Sequence, residues 1–307
     1  MPIAIMTSST SAQGYVADPR NDEVLVYVNG NFVPRNQATV SIFDAGFALG
    51  DGVWEGLRLV NGKLICLDEH IDRLYEGANA IRIDIGHSRE QMKSLLFATL
   101  DKNGMTDGAH IRLMVTRGIK STVNQDPRFI VGKATVVIVA EYKKPNPAAK
   151  EKGLALWTST FRCSSPDVFD LRLNSHSRLN LIQALIQAID AGADEALMLD
   201  PHGFVGSCNS TNFFIVRRGE LWTSTGRFNF KGITRGKVIA VARANDMAVV
   251  EQDFSLSETW NADEAFVTGT LGGVTPVTKI DGRMIGDGNP GAWTRKISSW
   301  YQASVLR

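Results

Sequence analysis

The chain has 307 residues, 44% of them hydrophobic and 21% charged, enough to bury a substantial core and to form two domains of ordinary size. Its 33 Lys and Arg against 32 Asp and Glu leave a net charge of +1, with no like-charge run of the kind that binds nucleic acid or a membrane surface, so small-molecule partners are expected. Three widely spaced cysteines, Cys66, Cys163 and Cys208, give neither a disulfide framework nor a zinc site; no metal is expected, and a reducing cytoplasm is the default compartment.

Residues 1–22 have neither a cationic start leading into a long apolar core nor an apolar run of membrane-spanning length, and read as a tail, mobile or strapped over a neighbour. From Glu23, alternating apolar and β-branched residues broken by Asn29-Gly30 predict a hairpin, and the run from Gly52 repeats the device around Asn61-Gly62. HIDRLYEGANAIRI has helical spacing, Ser88 caps a second helix ending at Gly104, and HIRLMVTRG and ATVVIVAEY are strand-like. The proline-rich, charged stretch Lys143–Gly153 reads as a linker between a small α+β domain at 23–142 and a larger mixed β domain with helices at 154–307.

Beyond the linker come the strand LALWTST, the amphipathic helix SRLNLIQALIQAIDAG closed by Gly192, the strand EALMLD and a hairpin across Arg218-Gly219. The helix ITRGKVIAVARAND and the strand EAFVTGT follow. Strands and helices mix without a strict βαβ rhythm, which predicts α+β architecture over a doubly wound sheet.

Three segments combine chemistry with suitable backbone. Gly232-Ile233-Thr234-Arg235 opens a helix, where free amides and a threonine hydroxyl form an anion site; an ordinary helix start reads equally well. Thr268–Gly273 follows a strand, and its glycines let amides approach a ligand, although a plain glycine turn has the same composition. His70 and Arg73 lie about one helical turn apart and share a face; arginine there suits bidentate capture of phosphate, or is solvated surface.

In sequence and order, SIFDAGFALGDGVWEGLRLVNG, DEHIDRL, AGADEALMLD, GFVGSCNSTNFFIV, GITR and TGTLGGVTPV resemble the class IV aminotransferases, the pyridoxal 5'-phosphate (PLP) enzymes of fold type IV. The group includes branched-chain and D-amino acid aminotransferases. The resemblance implies a two-domain, D-amino acid aminotransferase-like fold, a PLP site between the domains and a homodimer. It matches Arg73, Ile233, Thr234 and Thr270 to the cup that holds the cofactor phosphate. It puts Trp54 and Gly272 at the substrate pocket and Arg112 and Arg117 where subfamilies keep the arginine that reads a substrate carboxylate.

Two positions depart from the pattern. The lysine that carries the Schiff base falls on Asn174 in LRLNSHSRLN, or beside Arg178 if a short gap is allowed, and no lysine occurs between Lys152 and Lys231. The glutamate that pairs with the pyridine nitrogen is replaced by Ser207, whose hydroxyl keeps the ring cationic far less well than a carboxylate. PLP is then expected to be held non-covalently or to be absent. His176 and Arg178, beside Asn174, are candidates for acid–base work and carboxylate binding, against a reading as solvated residues flanking serine helix caps. Three functions follow: a diverged enzyme acting on a small amino or keto acid or other carboxylate, a PLP transaminase using another lysine such as Lys231, and a non-catalytic binding protein. Cys208, beside Ser207, reads as a small buried residue more readily than as a reactive thiol.

Overall fold

The computed structural model describes residues 11–306. The chain forms two compact units: one comprises Asp18–Lys144 with Leu173–Arg178, and the other Pro145–Arg172, Leu179–Arg307 and the N-terminal stretch up to Ala17.

The first unit is a six-stranded antiparallel sheet with two long helices and a short one, Ala45–Leu49. Its strands run in the order Asn31–Pro34, Leu25–Val28, Thr135–Tyr142, Ala109–Thr116, Gly52–Val60 and Lys63–Leu64. Strict alternation in Ala109–Thr116 buries Ala109, Ile111, Leu113 and Val115. His110, Arg112, Met114 and Thr116 are thereby directed to the opposite face. The helices Leu67–Ala80 and Arg89–Lys102 supply Ile71, Leu74, Met92 and Leu96 to the same core as Leu57, Ile111, Leu113 and Ile138. Each such side chain contributes about 1.5–3 kcal/mol by leaving water. Ser88 caps the second helix in a box with Gln91, as its spacing predicts.

The second unit is built on a nine-stranded mixed sheet. Eight of its strands, Val205–Cys208, Glu195–Leu199, Leu154–Thr158, Gly273–Ile280, Glu264–Gly269, Asn212–Arg217, Glu220–Thr223 and Val249–Glu251, lie side by side in that order, and the ninth, Arg283–Met284, pairs with Gly273–Ile280. Phe213, Ile215 and Val267 pack on one side, and Phe214, Val216 and Phe266 pack on the other with Val238, Ile239 and Ala242 of the helix Ile233–Ala244. Cover on both faces explains why Asn212–Val216 is a continuous buried run.

The structure adds detail to three stretches singled out by their composition. The stretch expected as a linker at 143–153 holds a short strand, Lys144–Pro145, and a helix, Pro147–Lys152, capped by the Asn146 side chain, so proline at a helix start produced its linker-like composition. Of the tail at 1–22, residues 1–10 lie outside the described residues, while Ala12 is buried in the core of the second unit. Leu173–Arg178, expected in the larger domain, belongs to the first unit, where Ser175 bridges Val53 on the strand Gly52–Val60. Among the described residues no helix is long and apolar enough to cross a membrane.

Candidate active site

The strand Gly52–Val60 divides its side chains between two faces, and both carry chemistry. Glu55 points toward the helices and is fully buried. Arg73 donates to it from Nε and Nη2, each at 2.7 Å, and His70 Nδ1 lies 2.7 Å from its Oε2. Burial opposes ionisation of this carboxyl, but the hydrogen bonds from Arg73 and His70 outweigh it and hold Glu55 below the ordinary carboxylate range. The helical spacing that put His70 and Arg73 on one face thus delivers both to a single acid, fixing the guanidinium of Arg73. Glu55 itself escaped the sequence reading; its one visible signal was a charged residue at a core-facing position of an alternating strand.

Trp54 points to the opposite face and meets the segment 173–178. Its amide donates to Asn174 O at 2.9 Å, its indole to Ser175 O at 3.1 Å, and Asn174 Nδ2 donates to Trp54 O at 2.5 Å. Arg178 folds back on this segment, donating from Nε to Ser175 O at 2.9 Å and from Nη2 to Asn174 Oδ1. The guanidinium carbons of Arg112 and Arg178 lie 3.6 Å and 5.2 Å from the Trp54 ring centroid, the arrangement of a cation–π pair. Burial, then the like charges of Arg112 and Arg73, push Arg178 down to about 10. Arg112 is likewise lowered by burial, with Glu141 and Glu55 acting against it. Arg73, Arg112 and Arg178 therefore share one electrostatic neighbourhood, offset by Glu55 and, at Arg112, by Glu141 as well.

Arg117 stands apart from this cluster. It is bound through Nε and Nη2 to Asp51 at 2.6 and 2.9 Å and to the carbonyls of Ile81 and Arg82. His176 donates its amide to Gly52 O, and its ring packs where a side chain on Gly52 would stand: a Cβ there would meet His176 Cδ2 and Val115 O at 2.6 Å. Nε2 of His176 is buried and has no hydrogen bond, and burial, followed by the charges of Arg112 and Arg178, lowers its pKa against a backbone hydrogen bond at Val53. Ser177 Oγ donates to Gly50 O, so this hydroxyl secures the segment to its own unit.

The second unit holds the remaining candidates. Ile233 and Thr234 open the helix Ile233–Ala244 behind Gly232, with no side chain capping it. Asn212 ties the start down by accepting from Gly232 N at 3.1 Å and donating to Phe230 O at 2.6 Å. The first amides of such a helix have no partner within it and suit an anion. Ser207 Oγ donates to Thr211 O at 2.8 Å and lies 3.3 Å from Asn212 Nδ2. Thr270 and Gly272 sit on the turn between the strands Glu264–Gly269 and Gly273–Ile280. Cys208 is buried, and burial, aided by the charge of Glu195, pushes its thiol well above its ordinary range. Lys231 is exposed, its Cε over the Gly226 turn.

The model of the family described as amino-transferase class IV matches residues 52–280. The chain belongs to the class IV aminotransferases. It is 40% identical over 297 residues to the branched-chain-amino-acid aminotransferase-like protein 2 of Arabidopsis thaliana, a match covering 97% of this chain and 53% of that protein. It thus spans about half the length of its plant relatives. A putative branched-chain-amino-acid aminotransferase of Methanocaldococcus jannaschii is 41% identical over 278 residues, covering 90% of this chain and 95% of that protein. A D-alanine aminotransferase of Listeria monocytogenes is 34% identical over 285 residues, covering 92% and 96%. Among solved structures, the T.th. branched-chain amino acid aminotransferase with pyridoxamine 5'-phosphate superposes with a TM-score of 0.86 at 30% identity, covering 92% of this chain and 94% of that one. As the resemblance implied, the fold is the α+β architecture of PLP fold type IV.

Proposed function

We propose that this class IV aminotransferase chain is a diverged enzyme that binds a small amino or keto acid, or another small carboxylate, without a lysine-linked cofactor. The observation that carries the reading is the pair Arg112 and Arg178 over Trp54, with Asn174 hydrogen-bonded to Arg178 where the family's lysine is expected. A guanidinium reads a carboxylate bidentately but does not form a Schiff base.

PLP fits these residues in part. Arg73 in the first unit, and in the second the helix start at Ile233 and Thr234 and the turn at Thr270, are each of a kind that suits a phosphate. Asn174 is committed to Trp54 and Arg178, and the Ser207 hydroxyl is committed to Thr211 O, so neither serves the carbonyl or the ring nitrogen as lysine and glutamate would. The reading accordingly keeps PLP non-covalent or absent. When bound, PLP supplies an electron sink for charge developing on a substrate carbon. Arg112 and Arg178 orient the substrate carboxylate, Trp54 provides the flat wall, and neutral His176 accepts a proton at Nε2. Arg117, held by Asp51, serves the scaffold.

Three free cysteines support a reducing, cytoplasmic setting. Exposed Ile42 and Phe47, at 69% and 70%, with Phe43 and Val131, support burial of this unit in a homodimer. Calorimetric titration with pyruvate and with PLP tests the reading: a carboxylate affinity that Arg178→Met or Arg112→Met lowers at least about tenfold is expected. Affinity unchanged in both variants sinks it.

A further inference from the structure

Glu195 has no part in the function above, yet its side chain sits fully inside the second unit, 1% exposed, where burial raises its carboxyl to about 7 against hydrogen bonds from Thr211 and Ala12. A buried acid is retained at a cost unless its bonds accomplish something. One oxygen of Glu195 accepts from Thr211 Oγ1 at 2.8 Å. The other accepts from the backbone amide of Ala12 at 2.9 Å, from a segment 183 residues away in sequence.

That segment is folded as a tight turn, with Gly14 N donating to Ser11 O at 2.8 Å, and is held a second time where Asn146 N donates to Gly14 O at 3.1 Å. Ala12 is 4% exposed and packs into the core with Leu197, Phe213 and Val267. Its carbonyl oxygen fills the space of the missing Gly272 side chain: a Cβ on Gly272 would stand 3.0 Å from Ala12 O and 2.8 Å from Thr275 Oγ1. The Gln13 amide nitrogen lies 3.8 Å from the place of a Cβ on Gly269. The two ends of the turn that carries Thr270 therefore lie against Ala12 and Gln13, and Thr211, the other partner of Glu195, contacts the Gly269 position through Cγ2 at 3.3 Å.

We propose that Ser11–Gln13 is a fixed wall against the turn Thr270–Gly273, pinned by Glu195, and that Glu195 and Thr211 are positioning residues for the anion this turn receives. The ligand half of the proposal rests on the anion-binding function above. The wall half rests on these contacts alone. The stretch that reads in sequence as a tail thus belongs to the site's supporting structure.

Hydrogen exchange of the amides at 270–274, followed by mass spectrometry in the full chain, tests the wall, and titration with PLP as the probe tests its consequence. Deleting residues 2–13, or Glu195→Leu, is expected to speed exchange there and to weaken PLP binding, each roughly tenfold, the loss of one buried hydrogen bond. Glu195→Gln keeps an acceptor for Ala12 N and is expected to stay within about twofold of the parent. If Glu195→Leu fails to fold, the deletion variant decides. Exchange at the parent rate in the deletion variant overturns the proposal. A parent that takes up no PLP, with exchange still faster in the deletion variant, upholds the wall and overturns the ligand half of the proposal.

Discussion

Arg178 and Arg117 are both largely buried arginines within one unit, and the structure predicts opposite outcomes when each is replaced by methionine, which keeps the aliphatic bulk. The fall of Arg178 from the ordinary arginine range to about 10 corresponds to about 3 kcal/mol held against its charged form at about 1.4 kcal/mol per tenfold. Removing the charge recovers that energy. It loses the hydrogen bonds to Ser175 and Asn174 and a stacking contact, about 1 kcal/mol each. Arg178→Met should therefore unfold in urea within about 1 kcal/mol of the parent, or later, while carboxylate binding falls. Arg117→Met strips a bidentate partner from Asp51 and a donor from two carbonyls, and should lose about 3 kcal/mol or more. Paired urea titrations read by tryptophan fluorescence and circular dichroism give both numbers. A loss above about 3 kcal/mol for Arg178→Met would make Arg178 a structural residue and refute the assignment of its charge to ligand binding.

Further predictions concern the buried acids and the lysine position. Glu55→Leu leaves the charge of Arg73 without its carboxylate and should destabilise the protein by about 3–5 kcal/mol in urea. Because the Glu55 carboxyl is held below its usual range, its stabilisation is complete above the unfolded value near 4.5 and is lost as pH falls through the folded value; Glu55→Gln should abolish this acid branch of the stability profile. Glu195 has the opposite sign: with its carboxyl raised to about 7, its contribution is greatest below about 4.5 and declines as pH rises to 7. Glu195→Gln should flatten that decline, and an unchanged slope contradicts the burial argument. Asn174→Lys should gain a borohydride-reducible PLP adduct of one cofactor mass, and failure to gain it would displace the lysine position from residue 174.

Much of the fold was legible because local rules governed it. Asn29 and Asn61 take positive φ in the two predicted hairpins, and His70 and Arg73 meet one partner because helical spacing brings them together. Pairings over long sequence separations were not legible. Nothing near Asn174 announces that Ser175 bridges Val53, since a single added bridge leaves no periodicity. Ala12 was hidden in the same way, its partner lying 183 residues downstream. The Lys143–Gly153 stretch, where the two units divide at Lys144 and Pro145, shows how proline at a helix start and lysines in its last turn share a linker's composition. At the site, the arginines were visible as residue types, but the separation of Arg112 from Arg117 depended on Asp51 and the carbonyls at 81 and 82, which only the folded chain brings to one point.

The central claim, that this class IV aminotransferase chain works without a lysine-linked cofactor, is tested most directly by the visible absorption spectrum of the purified protein with added PLP, before and after borohydride, together with intact mass. The account predicts no chromophore fixed by reduction and an unmodified mass. A reducible chromophore with one added cofactor mass would contradict it and return the chain to lysine-based transamination.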